Sequence, residues 1–118
     1  MKRIFLIDDD TMVNVLNKKV LSGLYPDAEL VVFRNGLEAL NQFMSSPPDL
    51  CLIDINMPQI SGYEFLDKLK SKEMNLHGVL IVLSGFVSKE EEEKVLAAGA
   101  AALLEKPLTA DKLKSVLI

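Results

Sequence analysis

Short stretches that are apolar at every position alternate along the chain with longer stretches in which apolar residues recur at three- and four-residue spacing. Ile4-Phe5-Leu6-Ile7 and Leu50-Cys51-Leu52-Ile53 are the clearest of the first kind. Such runs read as strands buried on both faces, which implies a parallel sheet covered by helices. Strands are predicted near Arg3–Asp8, Glu29–Arg34, Asp49–Asp54, Gly78–Ser84 and Ala101–Glu105. Between them the apolar spacing turns helical: Val13, Leu16, Val20, Leu21 and Leu24 form one stripe, and Leu37, Leu40, Phe43 and Met44 the next. Phe65, Leu66 and Leu69 line a third helix, Val95, Leu96 and Ala98 a fourth, and Leu108, Leu113, Val116 and Leu117 a fifth.

Turn chemistry separates these segments: Asn35-Gly36, Ser45-Ser46-Pro47-Pro48 and Ser61-Gly62. Ser88 followed by Glu91 is a capping-box pattern, and the acidic run Glu90–Glu93 suits the positive end of a helix dipole. Five strand–helix units joined by short connections predict a doubly wound α/β sandwich.

The polar residues at the strand ends change the picture from fold to chemistry. Asp8, Asp9 and Asp10 follow the first strand, and Asp54 closes the third. Parallel strands bring these acids to one carboxyl edge, which is where open α/β sheets bind ligands. Carboxylates so crowded repel one another unless a cation joins them, and a hard, oxygen-seeking ion such as Mg²⁺ is the natural partner. Asp10, directly before the first helical stripe, reads as a helix N-cap rather than a ligand. Ser84-Gly85 ends the fourth strand and Lys106-Pro107 the fifth, while Asn56 and Pro58 follow Asp54 in a loop. Carboxylates, a hydroxyl and an ammonium on one edge are what phosphoryl transfer to a carboxylate requires.

Composition then narrows the field. A length of 118 residues suits one domain, residues 1–118, with one core. The net charge of −4, with no Lys/Arg cluster, argues against nucleic acid as a direct partner. Val95–Leu104 is too short to span a membrane, and Met1-Lys2-Arg3 opens no signal peptide. The lone cysteine, Cys51, sits inside a strand run and reads as a packing residue in a reducing, cytoplasmic setting. His77, the single histidine, reads as a loop residue.

Asp8-Asp9, then Asp54-Ile55-Asn56-Met57-Pro58 with Ser61-Gly62, then Ser84-Gly85, then Gly99-Ala100 leading to Lys106-Pro107 form an ordered set. In that order the chain resembles, over its whole length, the receiver domain of two-component response regulators. The resemblance implies a flavodoxin-like fold with five parallel strands in the order 2-1-3-4-5 and five helices. It implies that Asp54 accepts a phosphoryl group from a histidine kinase or histidine phosphotransfer protein, and that the signal passes on to a downstream protein. Asp9 and Asp54 would hold Mg²⁺ by their side chains, Asn56 by its carbonyl and Asp8 mainly through a water. Lys106 would pair with the phosphoryl oxygens, Ser84 would hydrogen-bond one of them, and the Lys106-Pro107 peptide would be cis. Such a domain assists its own modification and turns over no separate substrate. The output face would be the fourth helix, fifth strand and fifth helix, with Glu90–Glu93 and Lys112 and Lys114 near it. The chain stops at the fifth helical stripe, which fits a stand-alone receiver or one excised from a larger regulator.

One position departs from the family. Leu103 stands three residues before Lys106, where Tyr or Phe is usual, so no ring is available to rotate inward with Ser84. Phe86, two residues beyond Ser84, is the candidate substitute. A degenerate receiver acting as a fixed binding module is the reading that Leu103 prompts. A phosphohydrolase of the haloacid dehalogenase type would use Asp8 and Asp10, but Met12 does not fit its pattern and no second acidic motif follows Lys106. A flavodoxin would need a Ser/Thr/Gly-rich phosphate loop after the first strand, and none is present.

Overall fold

In the computed structural model, which describes residues 2–57, 60–71 and 78–117, every predicted strand forms within about a residue of its expected bounds. Pro58 and His77 lie outside the described residues. The strands are β1 (Arg3–Ile7), β2 (Glu29–Phe33), β3 (Leu50–Asp54), β4 (Val79–Ser84) and β5 (Ala102–Glu105). The helices are α1 (Thr11–Leu24), α2 (Gly36–Ser45), α3 (Gly62–Ser71), α4 (Lys89–Ala97) and α5 (Ala110–Leu117). All pairings are parallel, in the order β2-β1-β3-β4-β5.

Alternation along the central strands divides the core between the two faces of the sheet. Phe5, Ile7, Cys51, Ile53, Leu80 and Val82 pack with Leu40, Phe43, Phe65 and Val95 of α2, α3 and α4. Ile4, Leu6, Leu50, Leu52, Ile81 and Leu83 pack with Leu21 of α1 and Leu113 of α5. On the first face Phe5 meets Phe33 and Phe43 edge-on, with ring centres 4.8 and 5.3 Å apart, an arrangement that the quadrupoles of the rings favour. β1, β3 and β4 are covered on both sides, which fixes their ends and therefore the site.

The helical stripes are less faithful to the apolar pattern than the strands. Leu37, Met44 and Leu96 are exposed, and Leu16 is 48% exposed. In α1 the buried line is Asn14, Asn17 and Leu21. The reason is a hydrogen bond: Asn14 Nδ2 donates to the Asp8 carbonyl at 2.8 Å, satisfying the last backbone acceptor of the first strand run. That bond turns two asparagines inward and leaves Met12, Val15 and Leu16 on the outside.

Two glycines matter to the loops. Gly62 lies so close to β3 that a Cβ would stand 2.9 Å from the Ile55 Cα and 3.3 Å from the Asp54 carbonyl oxygen. Its N–H donates to the Ile55 carbonyl at 2.9 Å, which ties the start of α3 to the end of β3. Gly99 has a φ of 111°, a conformation that favours glycine, where α4 turns into β5.

Candidate functional site

Register brings the predicted residues together. Ile7 pairs with Ile53, and Asp54 with Leu83, so Asp8, Asp54 and Ser84 leave adjacent strands at one edge. β5 adds Lys106, whose N–H donates to the Ser84 carbonyl at 2.7 Å and continues the β4–β5 ladder past the strand end. The Lys106-Pro107 peptide is cis.

Asp8, Asp9 and Asp54 each offer a carboxylate oxygen, and these three atoms lie within 4.8 Å of one another. Asp8 and Asp54 are buried, and Asp9 is the most open of the three. Three hard oxygen donors at that spacing fit a divalent cation of the Mg²⁺ type. The Lys106 ammonium sits against two of them, 2.9 Å from Asp8 Oδ2 and 3.2 Å from Asp54 Oδ1.

The two buried acids are not equivalent. Asp8 uses both oxygens, Oδ1 accepting from the Asp10 N–H at 2.9 Å and Oδ2 from Lys106. Asp54 takes its contacts on Oδ1, from Lys106 and, at 3.4 Å, from the Asn56 N–H. Among the described residues no hydrogen bond is made to Asp54 Oδ2. Burial raises the Asp8 carboxyl above the usual aspartate range, opposed by the Asp10 N–H and Lys106 and reinforced by the charge of Asp54. Burial alone would lower the Lys106 ammonium, but Asp8 and Asp54 together raise it above the usual lysine value. The ammonium therefore stays charged and serves as the counter-ion of the cluster.

Other expectations resolve individually. Asp10 is the N-cap of α1: its carboxylate accepts from the Met12 and Val13 N–H groups at 2.9 and 3.4 Å. That role removes the second acid which the phosphohydrolase reading needs. Burial pushes the Cys51 thiol far up, in keeping with a packing residue. Lys112 donates to the Glu105 and Pro107 carbonyls at 2.8 and 2.9 Å, so its ammonium braces the loop between β5 and α5. Ser84 reaches the edge, but its hydroxyl bonds to the Phe86 carbonyl at 2.7 Å and to Glu91 Oε1 at 3.1 Å.

Asn14 and Glu91 play parts at the site that the apolar pattern does not reveal. Asn14 carried a signal, as a polar residue seven before Leu21 of the predicted stripe and so on the same helix face; Glu91 was hidden in a run of four glutamates.

An α/β sheet in this strand order, with acids and a lysine at its carboxyl edge, is the frame of a phosphoacceptor signalling domain. The chain belongs to the response regulator receiver domain family, whose pattern it matches over residues 4–118. It is 34% identical over 110 residues to the polar-differentiation response regulator DivK of Brucella anthropi, covering 92% of this chain and 86% of the relative. A CheY-like receiver domain protein from Methanospirillum hungatei JF-1 superposes with a TM-score of 0.81 at 29% identity, covering 98% of this chain and 89% of that one. The chemotaxis response regulator CheY4 of Vibrio cholerae shares the fold with a TM-score of 0.85 at 24% identity, over 99% of both chains. The chain is thus a receiver domain of two-component type with a phosphoacceptor signalling role. Among the described residues no helix is long and apolar enough to cross a membrane.

Proposed function

We propose that Asp54 is the phosphoacceptor of this receiver and that Lys106, Ser84 and the acids at the first strand end serve it. The observation that carries this reading is the asymmetry of the buried pair. Asp8 has both oxygens engaged, whereas Asp54 Oδ2 takes no hydrogen bond among the described residues and lies beside a charged lysine. Asp54 Oδ2 attacks the phosphorus of a phosphohistidine on a kinase or phosphotransfer protein. The P–N bond breaks, its electron pair returns to the imidazole, and the product is an acyl phosphate on Asp54. Lys106 takes phosphoryl oxygens as its partners, and the Ser84 hydroxyl donates a hydrogen bond to one of them.

Asp8, Asp9 and Asp54, with the Asn56 carbonyl, would hold Mg²⁺. When bound, that ion neutralises charge on the phosphoryl oxygens. We read residues 1–118 as one receiver unit that turns over no separate substrate, works in the cytoplasm beside its histidine donor, and passes its signal to a protein rather than to nucleic acid. The net charge of −4 and the single buried thiol support that setting.

Incubation with Mg²⁺ and acetyl phosphate, followed by intact mass, tests the assignment. The wild type should gain one phosphate and Asp54→Asn none. Modification that survives in Asp54→Asn, or that maps to Asp8 or Asp9, would overturn it.

A further inference from the structure

Ser84 makes its hydrogen bonds toward α4, and the partner that matters is Glu91. A serine hydroxyl carries one proton, and here two acceptors compete for it: the Phe86 carbonyl and Glu91 Oε1. The same oxygen accepts from the Phe86 N–H at 3.3 Å. Glu91 lies in the first turn of α4, three residues after the N-cap Ser88. In a capping box its carboxylate would turn back to the N–H of the cap. One half of that box is present, since Ser88 Oγ accepts from the Glu91 N–H at 3.1 Å. The carboxylate, however, crosses the loop to a hydroxyl seven residues upstream, at the end of β4. Across the sheet Leu103 is 5% exposed and packed into the core, with no aromatic ring to follow Ser84.

We propose that Glu91 is a positioning residue that holds Ser84 in its resting place, and that modification of Asp54 exchanges the Ser84–Glu91 hydrogen bond for a Ser84–phosphoryl one. The proposal rests on the reading of Asp54 as phosphoacceptor. The hydroxyl has a single proton, so a phosphoryl oxygen gains it only as both resting acceptors, the Phe86 carbonyl and Glu91, lose it. Glu91 is then left without its tie to β4, and the first turn of α4 loses an anchor to the sheet. The exchange provides this chain with two discrete arrangements at the site of output without any movement in β5. Glu91 thereby lowers affinity for the phosphoryl group and couples that group to α4.

Beryllofluoride with Mg²⁺ is the probe, because it occupies the phosphoryl position without turnover. Its affinity should be measured by calorimetry in wild type, Glu91→Ala, Glu91→Gln, Ser84→Ala and the Ser84→Ala/Glu91→Ala double variant. Glu91→Ala should tighten binding by about fivefold, less than the worth of a whole hydrogen bond to a charged group because the Phe86 carbonyl still competes for the proton. Glu91→Gln keeps an acceptor oxygen and should stay within about threefold of wild type, since a neutral acceptor holds less tightly than a charged one. In the Ser84→Ala background Glu91→Ala should change nothing, because the effect passes through the hydroxyl. Amide exchange should show beryllofluoride loosening the first turn of α4 in wild type, and that turn already loose in Glu91→Ala. Binding that is indifferent to Glu91→Ala, or altered equally with and without Ser84, removes the positioning role while leaving the receiver chemistry intact. A wild type that takes up neither beryllofluoride nor phosphate overturns the phosphoacceptor reading itself, and the exchange with it.

Discussion

On the β1 and β3 side of the site, the two buried carboxylates already touch the lysine they will work with, while on the β4 side the hydroxyl is held by a helix. Lys106 lies against Asp8 and Asp54, and Asp8 is further pinned by the Asp10 N–H. Ser84, one residue beyond the register partner of Asp54, is bonded to Phe86 and Glu91. The difference separates two tasks. Transfer of a phosphoryl group benefits from charges placed before the reaction, because no reorganisation is then needed. A signal needs the opposite, a group that must leave one partner to gain another. Variants on the first side should therefore change rate and metal binding, and variants on the second should change the coupling of the site to α4.

Lys106→Met should have the largest effect. It removes the one cation among the described residues that touches both buried carboxylates, and acyl-phosphate formation should slow by about a hundredfold, as for loss of a single placed donor. In metal-free buffer the fold should also lose about 2 kcal/mol, less than for a fully buried pair because the Lys106 side chain is 22% exposed. A time course by intact mass and a thermal melt measure the two. An unchanged rate would show that the first side is not preassembled for transfer.

Asp9 and Asp10 are neighbours with opposite expected behaviour. Asp9→Ala should weaken Mg²⁺ binding more than tenfold by calorimetry, since it removes one of three converging oxygens. Asp10→Ala should leave the metal affinity in place and cost about 1 kcal/mol of stability, the value of an N-cap. Equal losses of affinity in the two variants would erase the distinction between ligand and cap.

That distinction was legible without coordinates, because a cap is set by its position before an apolar stripe. The strands were legible for a similar reason: residues buried on both faces leave little choice of state, so Ile4–Ile7 and Leu50–Ile53 can only be interior. The acid edge followed from the strands. What stayed hidden depended on single side-chain hydrogen bonds. The Asn14 bond to the Asp8 carbonyl rotated α1 and exposed Leu16, and the Glu91 bond to Ser84 overrode the local capping pattern. Periodicity averages over such bonds, and one of them outweighs a weak apolar preference when it satisfies a buried group.

A smaller effect is expected at Asp8. Its raised carboxyl means that the folded chain holds the proton more tightly than the unfolded one, so ionised Asp8 costs stability. The cost is absent below the ordinary aspartate value of 3.8, accumulates as pH rises through the raised value, and stays constant above it. Asp8→Asn should therefore melt higher than wild type at neutral pH in metal-free buffer, and the gain should vanish on acidification below the ordinary value. Mg²⁺ should reverse the order, because only the wild type supplies the full charge. A gain that persists in acid would assign it to packing rather than to the buried charge.

The smallest effect is expected from the ring of Phe86, the candidate substitute for the missing aromatic in β5. Its side chain is 75% exposed, whereas its backbone both donates to and accepts from Ser84. The peptide groups belong to the resting arrangement of the β4 side, and the ring does not. Phe86→Ala should shift stability by no more than about 0.5 kcal/mol, as for surface positions generally. It should also leave acyl-phosphate formation and beryllofluoride affinity at wild-type values. The loop should still move when Ser84 changes partner, because the backbone bonds that tie it to Ser84 remain. A marked change in beryllofluoride affinity for Phe86→Ala would make the ring part of the switch and move the centre of the β4 side from Glu91 to Phe86.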